Sequence, residues 1–377
     1  MIELTIQDVA FGGKGVGRDA GGKAVFVPYT IEGETVSAQI VREKKQFAEA
    51  ELIEIRQNSA YRVEPLCPYF GRCGGCAYQH IEYPHQTEIK WRQVQDLLRR
   101  IGKIAEPPMQ PIIASPEAYG YRNRITVHVM EGVIGFFRRE SNRLIDIERC
   151  PISREELNDD LRMLRKSNPA DGHYSLRADN APKIFTQTND AIAERLRQLV
   201  VRLVPENQQL LIDAYCGSGF FAKALLDKFD RIIGIDWDRF AIEEASRDAT
   251  GKEMYIAGDV AAVLGRTRSG GFPIAELNTA TIENRGSLTL IADPPASGLT
   301  ANVIKTLIDL APGTFIYVSC NPATLARDLK ELGKQFSLQS VTPLDMFPQT
   351  AEIEVAVRLQ RSASPAMQRY RPRCCPD

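Results

Sequence analysis

Cys320 stands between a strand-like segment and a helix-like segment, a place where a cysteine can act as a nucleophile. The apolar residues 314–318 precede it closely, and a helical pattern at residues 323–332 follows Asn321 and Pro322. The positive end of a helix dipole favours the thiolate, which is the reactive form of the side chain. A single cysteine is also a common core residue. The nucleophile hypothesis therefore depends on the rest of the chain.

A glycine-rich loop earlier in the same region fits a site for a nucleoside-containing cofactor. Asp213 ends a predicted strand and is followed by Tyr215, Gly217 and Gly219 before a helical segment begins. Glycines at such a turn let a ligand approach the backbone at a helix N-terminus. Asp236 ends the next predicted strand, where a carboxylate can bind both hydroxyl groups of a ribose. The pattern fits a dinucleotide and S-adenosylmethionine about equally.

Two further acids favour S-adenosylmethionine. Asp293, in an Asp-Pro-Pro sequence, follows the fourth predicted strand, and Asp259 follows the third. The carboxyl ends of parallel strands meet in one crevice, so we expect Asp293 where a methyl group meets its acceptor and Asp259 near an adenine. Taken alone, each acid also fits a turn or a helix cap. Because these acids and Cys320 all follow strands of one predicted sheet, we predict a shared site.

Four cysteines in the middle of the chain have the spacing of a metal site. Cys67, Cys73 and Cys76 are clustered, and Cys150 stands much later, before a proline. Cysteine thiolates bind both tetrahedral zinc and iron-sulfur clusters. Zinc ribbons usually have two close pairs, whereas three clustered cysteines and a distant fourth are typical of a [4Fe-4S] site. We predict a metal centre, with a cluster favoured over zinc and buried free thiols as the alternative.

Composition indicates a globular protein. The chain has 377 residues, of which 44% are hydrophobic, and a formal net charge of −1. Only the middle of the chain is modestly basic, so a polyanionic partner is allowed by the bulk charge but not required by it. The first residues do not have the pattern of a secretory signal, and no apolar run is long enough to cross a membrane. We expect a cytoplasmic protein whose cysteines are ligands, nucleophiles or core residues and not disulfides.

Changes in pattern predict three domains and a tail. Residues 1–58 alternate polar and apolar side chains between glycine-rich turns, which is typical of a small antiparallel β-barrel. The glycine cluster there lacks the lysine and helix of a phosphate loop. Residues 59–183 combine the first cysteines with an amphipathic helix at 83–101 and several strands. Residues 184–361 alternate short apolar strands with helices and predict a doubly wound, mainly parallel sheet. Residues 362–377 are expected to form a disordered tail.

At these residues the chain resembles the RNA 5-methyluridine methyltransferases, a family that uses S-adenosylmethionine. The likeness covers nearly everything before the tail. It implies a TRAM domain, which is a small RNA-binding barrel, then an α+β iron-sulfur domain, and finally a Rossmann-like class I methyltransferase domain. The four cysteines match the cluster ligands of the family's iron-sulfur members: Cys67, Cys73, Cys76 and Cys150.

The resemblance also implies roles for the site residues. Cys320 falls on the family's nucleophile, and Glu354, in Phe-Pro-Gln-Thr-Ala-Glu-Ile-Glu, falls on its general base. Asp293 would orient the uracil or the nucleophile. Gln187 matches a glutamine that contacts the cofactor. The other matched cofactor positions are Tyr215, Gly217, Asp236 and Asp293, and Asp259 is assigned to the adenine by its position after a strand.

The implied reaction is methylation of uridine in RNA. A thiolate adds to C6 of uracil and makes C5 nucleophilic enough to take a methyl group. A carboxylate then removes the C5 proton so that the cysteine can leave. The target nucleotide must be unstacked to be reached. The partner is RNA, ribosomal or transfer, and no obligate protein partner is inferred.

The chain departs from the family pattern at four positions. The family commonly has histidine at Gln349 and Glu352, arginine at Ala296 and a small polar residue at Phe220. Glu352 is therefore a rival to Glu354 as the base, since side chains two residues apart in a strand point the same way. Two other functions remain open: an RNA-binding iron-sulfur protein whose transferase site has decayed, and a dinucleotide-dependent oxidoreductase.

Overall fold

The computed structural model describes residues 1–178, 187–265 and 285–362. By its internal contacts the chain divides into two compact units. Unit 1 comprises Met1–Leu97, Pro111–Leu196 and Thr342–Glu354. Unit 2 comprises Leu98–Gln110, Arg197–Val341 and the segment from Val355 onward. The boundaries of the three domains expected from the sequence stay predictions.

The first strands of unit 1 form a closed barrel: β1 (Ile2–Ala10), β2 (Lys14–Arg18), β3 (Ala24–Pro28), β4 (Thr35–Glu43) and β5 (Phe47–Gln57). The strand order is β1-β2-β3-β5-β4, and all the pairings except that of β3 with β5 are antiparallel. Apolar residues at every second position, such as Leu4 and Ile6, or Val25 and Val27, are buried inside the barrel. This is the period of two that a strand with one inward face requires. The predicted small β-barrel is confirmed.

A second sheet of unit 1 follows the first helix along the chain. The elements are α1 (Tyr83–Arg100), β6 (Arg124–Met130), β7 (Val133–Phe137), β8 (Leu144–Asp146), α2 (Glu155–Lys166) and β9 (Gly172–Arg177). The strands pair in the order β8-β7-β6-β9. Leu157 and Leu161 of α2 share one apolar core with Ile125 and Val127 of β6. The amphipathic helix predicted at residues 83–101 is confirmed as α1.

After α3 (Asp190–Leu203), the chain forms a seven-stranded sheet. Its strands are β10 (Gln208–Ala214), β11 (Phe229–Asp236), β12 (Glu253–Ala257), β13 (Leu288–Ala292), β14 (Thr314–Ser319), β15 (Phe336–Leu344) and β16 (Glu354–Arg361). The helices between them are α4 (Arg239–Arg247), α5 (Val260–Gly265), α6 (Ala301–Leu310) and α7 (Pro322–Leu332).

The large sheet has the order β12-β11-β10-β13-β14-β16-β15. Strands β10 to β14 run parallel to one another, and β16 runs antiparallel to β14. Every residue of β13 and β14 is buried, as expected for parallel strands with both faces covered. The chain leaves β10 toward β11 and later returns to β13 on the other side of β10, which makes a topological switch point between β10 and β13. The doubly wound sheet predicted from the sequence is confirmed.

Some parts of the sequence analysis were incomplete or fall outside the described residues. Strand β15 was not predicted, because its residues mix polar and apolar types without a clear period. Residues 363–377 of the predicted tail lie outside the described residues. None of the helices in the described ranges is long and apolar enough to cross a membrane.

Candidate active site and cysteine cavity

The residues predicted for the cofactor and the nucleophile in unit 2 lie at the carboxyl ends of five neighbouring strands. Asp213 is the second-to-last residue of β10, and Asp236 is the last residue of β11. Asp259, Asp293 and Cys320 follow β12, β13 and β14 within two residues. Because these five strands are parallel, the residues share one edge of the sheet. Ligands of doubly wound sheets bind at this edge, next to the switch point.

Asp236 holds the glycine-rich loop. One of its carboxylate oxygens, Oδ2, accepts a hydrogen bond from the backbone N–H of Gly217 at 2.9 Å, and Oδ1 accepts one from that of Asp238 at 2.9 Å. Tyr215 and Gly217 have left-handed backbones, with φ of 64° and 53°. A Cβ added to Gly217 would meet no atom within 4 Å, so the loop faces open space there. A carboxylate has about four acceptor positions, which leaves Asp236 able to accept the hydroxyls of a ribose.

Asp213 and Asp293 are acids with a raised pKa. Asp213 is fully buried; its Oδ2 accepts from the N–H of Ala222 at 3.0 Å, while Oδ1 has no hydrogen-bond partner among the described residues. Burial raises the pKa of Asp213 to about 8, with the charges of Asp293 and Asp236 adding to it. Burial likewise raises the pKa of Asp293 to about 7, although part of that side chain keeps contact with solvent. Near neutral pH both acids therefore exist partly in the protonated form.

The loop that carries Cys320 is tied to the loop that follows β13. Cys320 is half-buried, and the next residue, Asn321, caps α7 by accepting from the N–H groups of Ala323 and Thr324 at 3.1 and 3.4 Å. The side-chain Nδ2 of Asn321 and the hydroxyl of Thr324 both donate to the carbonyl of Ala296, each at 3.1 Å. Ala296 is one of the positions that departs from the family pattern. Both hydrogen bonds are accepted by the backbone carbonyl of Ala296, so any residue at this position could form them.

Helix α7 also holds the second half of the same loop. Asp328 is buried, and its Oδ2 accepts from the N–H of Leu299 and from the hydroxyl of Tyr317, both at 2.8 Å. The guanidinium of Arg327 donates to the carbonyl of Ser297 at 2.9 Å. The prediction from sequence did not include Asn321, Arg327 or Asp328. The only sequence feature that could have pointed to them is Asn321-Pro322, a pair typical of the start of a helix.

Asp259 and Tyr215 are the remaining predicted cofactor residues of unit 2. Asp259 is exposed, and its Oδ1 accepts from the N–H of Ala262 at 2.8 Å, so it caps the first turn of α5. Asp259 is therefore a helix cap, as the alternative interpretation expected. The contact of Asp259 with an adenine stays a prediction. Burial, with the charge of Asp259 as the next cause, raises the pKa of Tyr215 to about 12.

Gln187 and Glu354 belong to unit 1. The backbone carbonyl of Gln187 accepts from the side-chain amide of Asn123 at 2.9 Å, and its own side chain is half-buried. Glu354 is only 3% exposed, whereas Glu352, its rival as the base, is exposed. Solvent water therefore competes less for the carboxylate of Glu354 than for that of Glu352, and the role of either residue as the base stays a prediction.

The four predicted metal ligands line one cavity of unit 1, with a volume of about 740 Å³. They are free cysteines: Cys67, Cys73, Cys76 and Cys150. The loop that carries the first three is bonded at both ends. The side-chain oxygen of Gln79 accepts from the N–H of Cys67 at 3.1 Å, and the N–H of Gly74 donates to the carbonyl of Phe137 at 3.0 Å. The N–H of Cys150 donates to the side chain of Asn158 at 2.8 Å.

The donor set of this cavity leaves zinc and an iron-sulfur cluster both open, since cysteine thiolates bind either one. Within the described residues, no three His, Cys, Asp or Glu side chains are arranged to hold a metal ion. The metal centre expected from the sequence therefore stays a prediction. Arginines surround the thiols in the cavity wall, where they would offset the negative charge of a thiolate-ligated cluster: Arg122, Arg124, Arg138, Arg139 and Arg149.

Burial makes three of the cysteine thiols harder to ionise than an ordinary thiol. Burial raises the pKa of Cys67 and Cys73 above that of an ordinary thiol, and it raises the pKa of Cys76 to about 12. Binding of a metal to such thiols would release protons. The cavity places the four cysteines together without confirming the cluster.

Comparison with known proteins gives matches over nearly the whole chain. Residues 167–362 match the family model described as tRNA (Uracil-5-)-methyltransferase, and residues 1–53 match the TRAM domain. An RNA methyltransferase of Bdellovibrio bacteriovorus is 31% identical over 95% of each chain. One from Gloeobacter violaceus is 28% identical over 96% of each chain. The functions of both relatives are uncharacterised beyond that name.

A solved structure has the same fold. The tRNA (uracil-54, C5)-methyltransferase of Pyrococcus abyssi, in complex with S-adenosyl-L-homocysteine, matches with a TM-score of 0.68 and 22% sequence identity. The match covers 95% of this chain and all of that one. The family model spans more than half of the chain, and the N-terminal barrel is a TRAM domain. The chain therefore belongs to the tRNA (uracil-5-)-methyltransferase family, and it is an RNA uracil-C5 methyltransferase that depends on S-adenosylmethionine.

Proposed function

We propose that this enzyme forms 5-methyluridine in RNA through a covalent bond between Cys320 and C6 of the target uracil. The observation that carries the proposal is the pair of hydrogen bonds to the carbonyl of Ala296. These bonds join the loop after Asp293 to the loop of Cys320 at the sheet edge where a class I fold binds its ligands. Asp293 and Cys320, each of which could be an ordinary core or cap residue by itself, thus lie on two loops that are bonded to each other.

The first step is addition of the Cys320 thiolate to C6. The new S–C6 bond takes its electron pair from sulfur, and the electrons of the C5–C6 double bond move onto C5 and the C4 carbonyl. Asp293, whose pKa burial raises to about 7, can donate a hydrogen bond from its protonated form to a uracil oxygen. S-adenosylmethionine supplies an electrophilic methyl group, which C5 accepts.

The second half of the reaction restores the aromatic uracil. Glu354 removes the proton from C5, the electrons of that C–H bond re-form the C5–C6 double bond, and the S–C6 bond breaks to release the Cys320 thiolate. The burial of Glu354, compared with the exposure of Glu352, supports this assignment. One proton and one methyl group have then exchanged places on C5.

The candidates for holding the cofactor are Gln187, Tyr215, Gly217, Asp236 and Asp259, with Asp293 at the methyl end. The open space at Gly217 and the remaining acceptor positions of Asp236 support this assignment.

The substrate we infer is transfer RNA. The description of the matched family and the relative from Pyrococcus abyssi both name tRNA, and the TRAM barrel supports RNA binding. Ribosomal RNA is the alternative that the test below includes. Flipping of the target uridine out of its stack is required by the reaction, since C6 must reach the sulfur.

We also propose that Cys67, Cys73, Cys76 and Cys150 hold a [4Fe-4S] cluster. The shared cavity and the arginines in its wall support a negatively charged metal centre, and the spacing of three clustered cysteines with a distant fourth favours a cluster over zinc. The methyl transfer needs no electron, so the cluster would serve to fix the cysteine loop and the polypeptide around it.

The reaction is tested with purified enzyme, S-adenosylmethionine and unmodified transfer or ribosomal RNA transcripts, by measuring 5-methyluridine in nuclease digests. Cys320→Ala is expected to lose turnover by at least about 1,000-fold, because covalent activation of C5 is gone. Glu354→Gln is expected to slow product release about 100-fold or more and to accumulate a protein–RNA adduct that survives denaturing gels. Glu352→Gln is the control and should retain turnover. Normal turnover by Cys320→Ala would refute the mechanism, and adduct accumulation in Glu352→Gln alone would move the base to that residue.

The metal centre is tested by iron and sulfide analysis and by visible and Mössbauer spectra of anaerobically purified protein. We expect about four irons per chain, and loss of most of them in Cys76→Ser. Cys216→Ser, which changes a buried cysteine of unit 2, should keep the iron. Zinc in place of iron in the wild-type protein contradicts the cluster.

A further inference from the structure

The segment that leads into Glu354 has an unusual backbone. Gln349, five residues before Glu354, has φ of 69° although it is not glycine, and it is only 2% exposed. A left-handed backbone costs an ordinary residue about 1 kcal/mol or more. Surrounding contacts must therefore hold Gln349 in this conformation.

Those contacts come from Gln86 of α1. The side-chain amide of Gln86 bonds Gln349 twice: its oxygen accepts from the N–H of Gln349 at 3.1 Å, and its nitrogen donates to the side-chain oxygen of Gln349 at 3.0 Å. The same nitrogen donates to the carbonyls of Tyr78 and Ile81 at 3.1 and 2.8 Å. These carbonyls fix which way the amide of Gln86 points, and Gln86 is fully buried.

The cysteine loop contacts the same residue from its other side. The carbonyl of Gln349 accepts from two consecutive N–H groups, those of Ala77 at 3.0 Å and Tyr78 at 2.9 Å. Ala77 directly follows Cys76. A metal ligand, a helix side chain and the segment before the proposed base are therefore joined through one residue of unit 1.

The two carbonyls before Gln349 are bonded as well. Lys90 donates to the carbonyl of Phe347 at 3.0 Å, and the hydroxyl of Tyr121 donates to that of Pro348 at 3.0 Å. All three consecutive carbonyls from 347 to 349 thus have buried donors. A surface turn does not need three buried hydrogen-bond donors. Here they hold the backbone of the segment that leads into Glu354, the first residue of β16.

We propose that Gln86 and Gln349 are a positioning pair for the general base, and that the cysteine loop is the third support of that pair. The inference rests on the proposed role of Glu354. The pair holds the left-handed turn at Gln349, the turn sets the path of residues 350–353, and that path sets the carboxylate of Glu354. Loss of the pair should slow removal of the C5 proton, a step that follows addition of Cys320 to the uracil.

The test compares two buried glutamines on α1. Gln86→Leu removes the bonds to Gln349. Gln93→Leu is the matched control, since Gln93 is also buried and bonds the carbonyls of Val9 and Ala10 in the barrel, at 2.8 and 3.0 Å, and the hydroxyl of Tyr78 at 2.9 Å, but not Gln349. Both changes remove a buried amide from α1, so losses due only to a weakened helix should appear in both.

We expect Gln86→Leu to lower kcat roughly 10- to 100-fold with KM for RNA nearly unchanged, because a misplaced base costs that order of rate. It should also raise the fraction of enzyme trapped as the denaturant-stable RNA adduct. Gln93→Leu should keep kcat and adduct fraction within about threefold of the wild type, the range of a modest change in stability. A pH–rate profile of each variant shows whether the base titrates with a changed pKa in Gln86→Leu only.

The outcomes separate this inference from the proposed function. If Glu354→Gln accumulates adduct but Gln86→Leu matches Gln93→Leu in kcat and adduct fraction, the positioning pair is refuted and the mechanism stands. If Glu354→Gln accumulates no adduct, the assignment of the base fails and the positioning pair fails with it.

Discussion

At the scale of single residues, the acids at the sheet edge differ in what their surroundings do to them. Asp236 has two backbone N–H donors, one for each carboxylate oxygen. Asp213 has one donor for one oxygen and none in the described residues for the other. Acids of the same type at neighbouring strand ends are therefore suited to different tasks, Asp236 to accepting hydrogen bonds and Asp213 to supporting the glycine loop from within the protein.

The raised pKa of Asp213 predicts how stability depends on pH. Its pKa is about 8 in the folded protein, against 3.8 for an ordinary aspartate. Between these values the folded state binds one proton that the unfolded state does not, so stability contributed by this group falls as pH rises toward 8. Asp213→Asn cannot titrate. Between pH 5 and 8 the free energy of unfolding should therefore decrease less in this variant than in the wild type, and the two decreases should differ by on the order of 2 kcal/mol.

Urea unfolding at several pH values measures this difference. Asp227→Asn removes an exposed acid of the same unit and should give a curve parallel to that of the wild type. Parallel curves for Asp213→Asn and the wild type would show that Asp213 does not hold a proton in the folded state.

At the scale of elements, helix α7 positions the loop between β13 and α6. The start of the helix binds the carbonyl of Ala296, and Arg327 and Asp328 bind the backbone of residues 297–299. The loop turns at Gly298, whose φ is 75°. Because Cys320 closely precedes this helix, one element determines the position of both the Cys320 loop and the loop after Asp293.

Gly298→Ala tests this arrangement. A Cβ at residue 298 would lie 2.6 Å from Oδ2 of Asp328 and 2.8 Å from the guanidinium of Arg327, in a left-handed backbone that disfavours alanine. We expect a loss of about 2 kcal/mol or more in the free energy of unfolding, together with reduced methylation. Gly251→Ala adds a Cβ where no atom lies within 4 Å and should change stability by less than about 0.5 kcal/mol. Equal stability of the two variants would mean that the loop is not held by Asp328 and Arg327.

At the scale of the whole molecule, unit 1 is built from segments that are far apart in the sequence. The chain returns to it for Thr342–Glu354 after passing through unit 2. A buried ion pair joins this returning segment to α1: Nζ of Lys90 lies 2.6 Å from Oδ1 of Asp345, and neither side chain is exposed. Burying two charges is costly unless both are well bonded. The pair thus favours the one arrangement in which these distant segments meet.

Much of the fold could be predicted because its signals are local. The barrel strands alternate, α1 has a helical period, and the strands from β10 to β14 are short apolar runs, each set by residues within about ten positions. Strands β8, β9 and β15 were not predicted, since they are short or mixed and are stabilised by their neighbours in the sheets. The candidate nucleophile and acids could be named in advance because each directly follows or ends such a strand.

By itself, the sequence determined which residues follow the parallel strands and which four cysteines share a region, since both follow from order along the chain. Only the tertiary structure decided that Glu354 is buried while Glu352 is exposed, and that Gln349 bonds Gln86 across 263 residues of chain. The reason is physical. Burial and hydrogen bonding between distant residues depend on where packing places each backbone, and no local pattern encodes that placement.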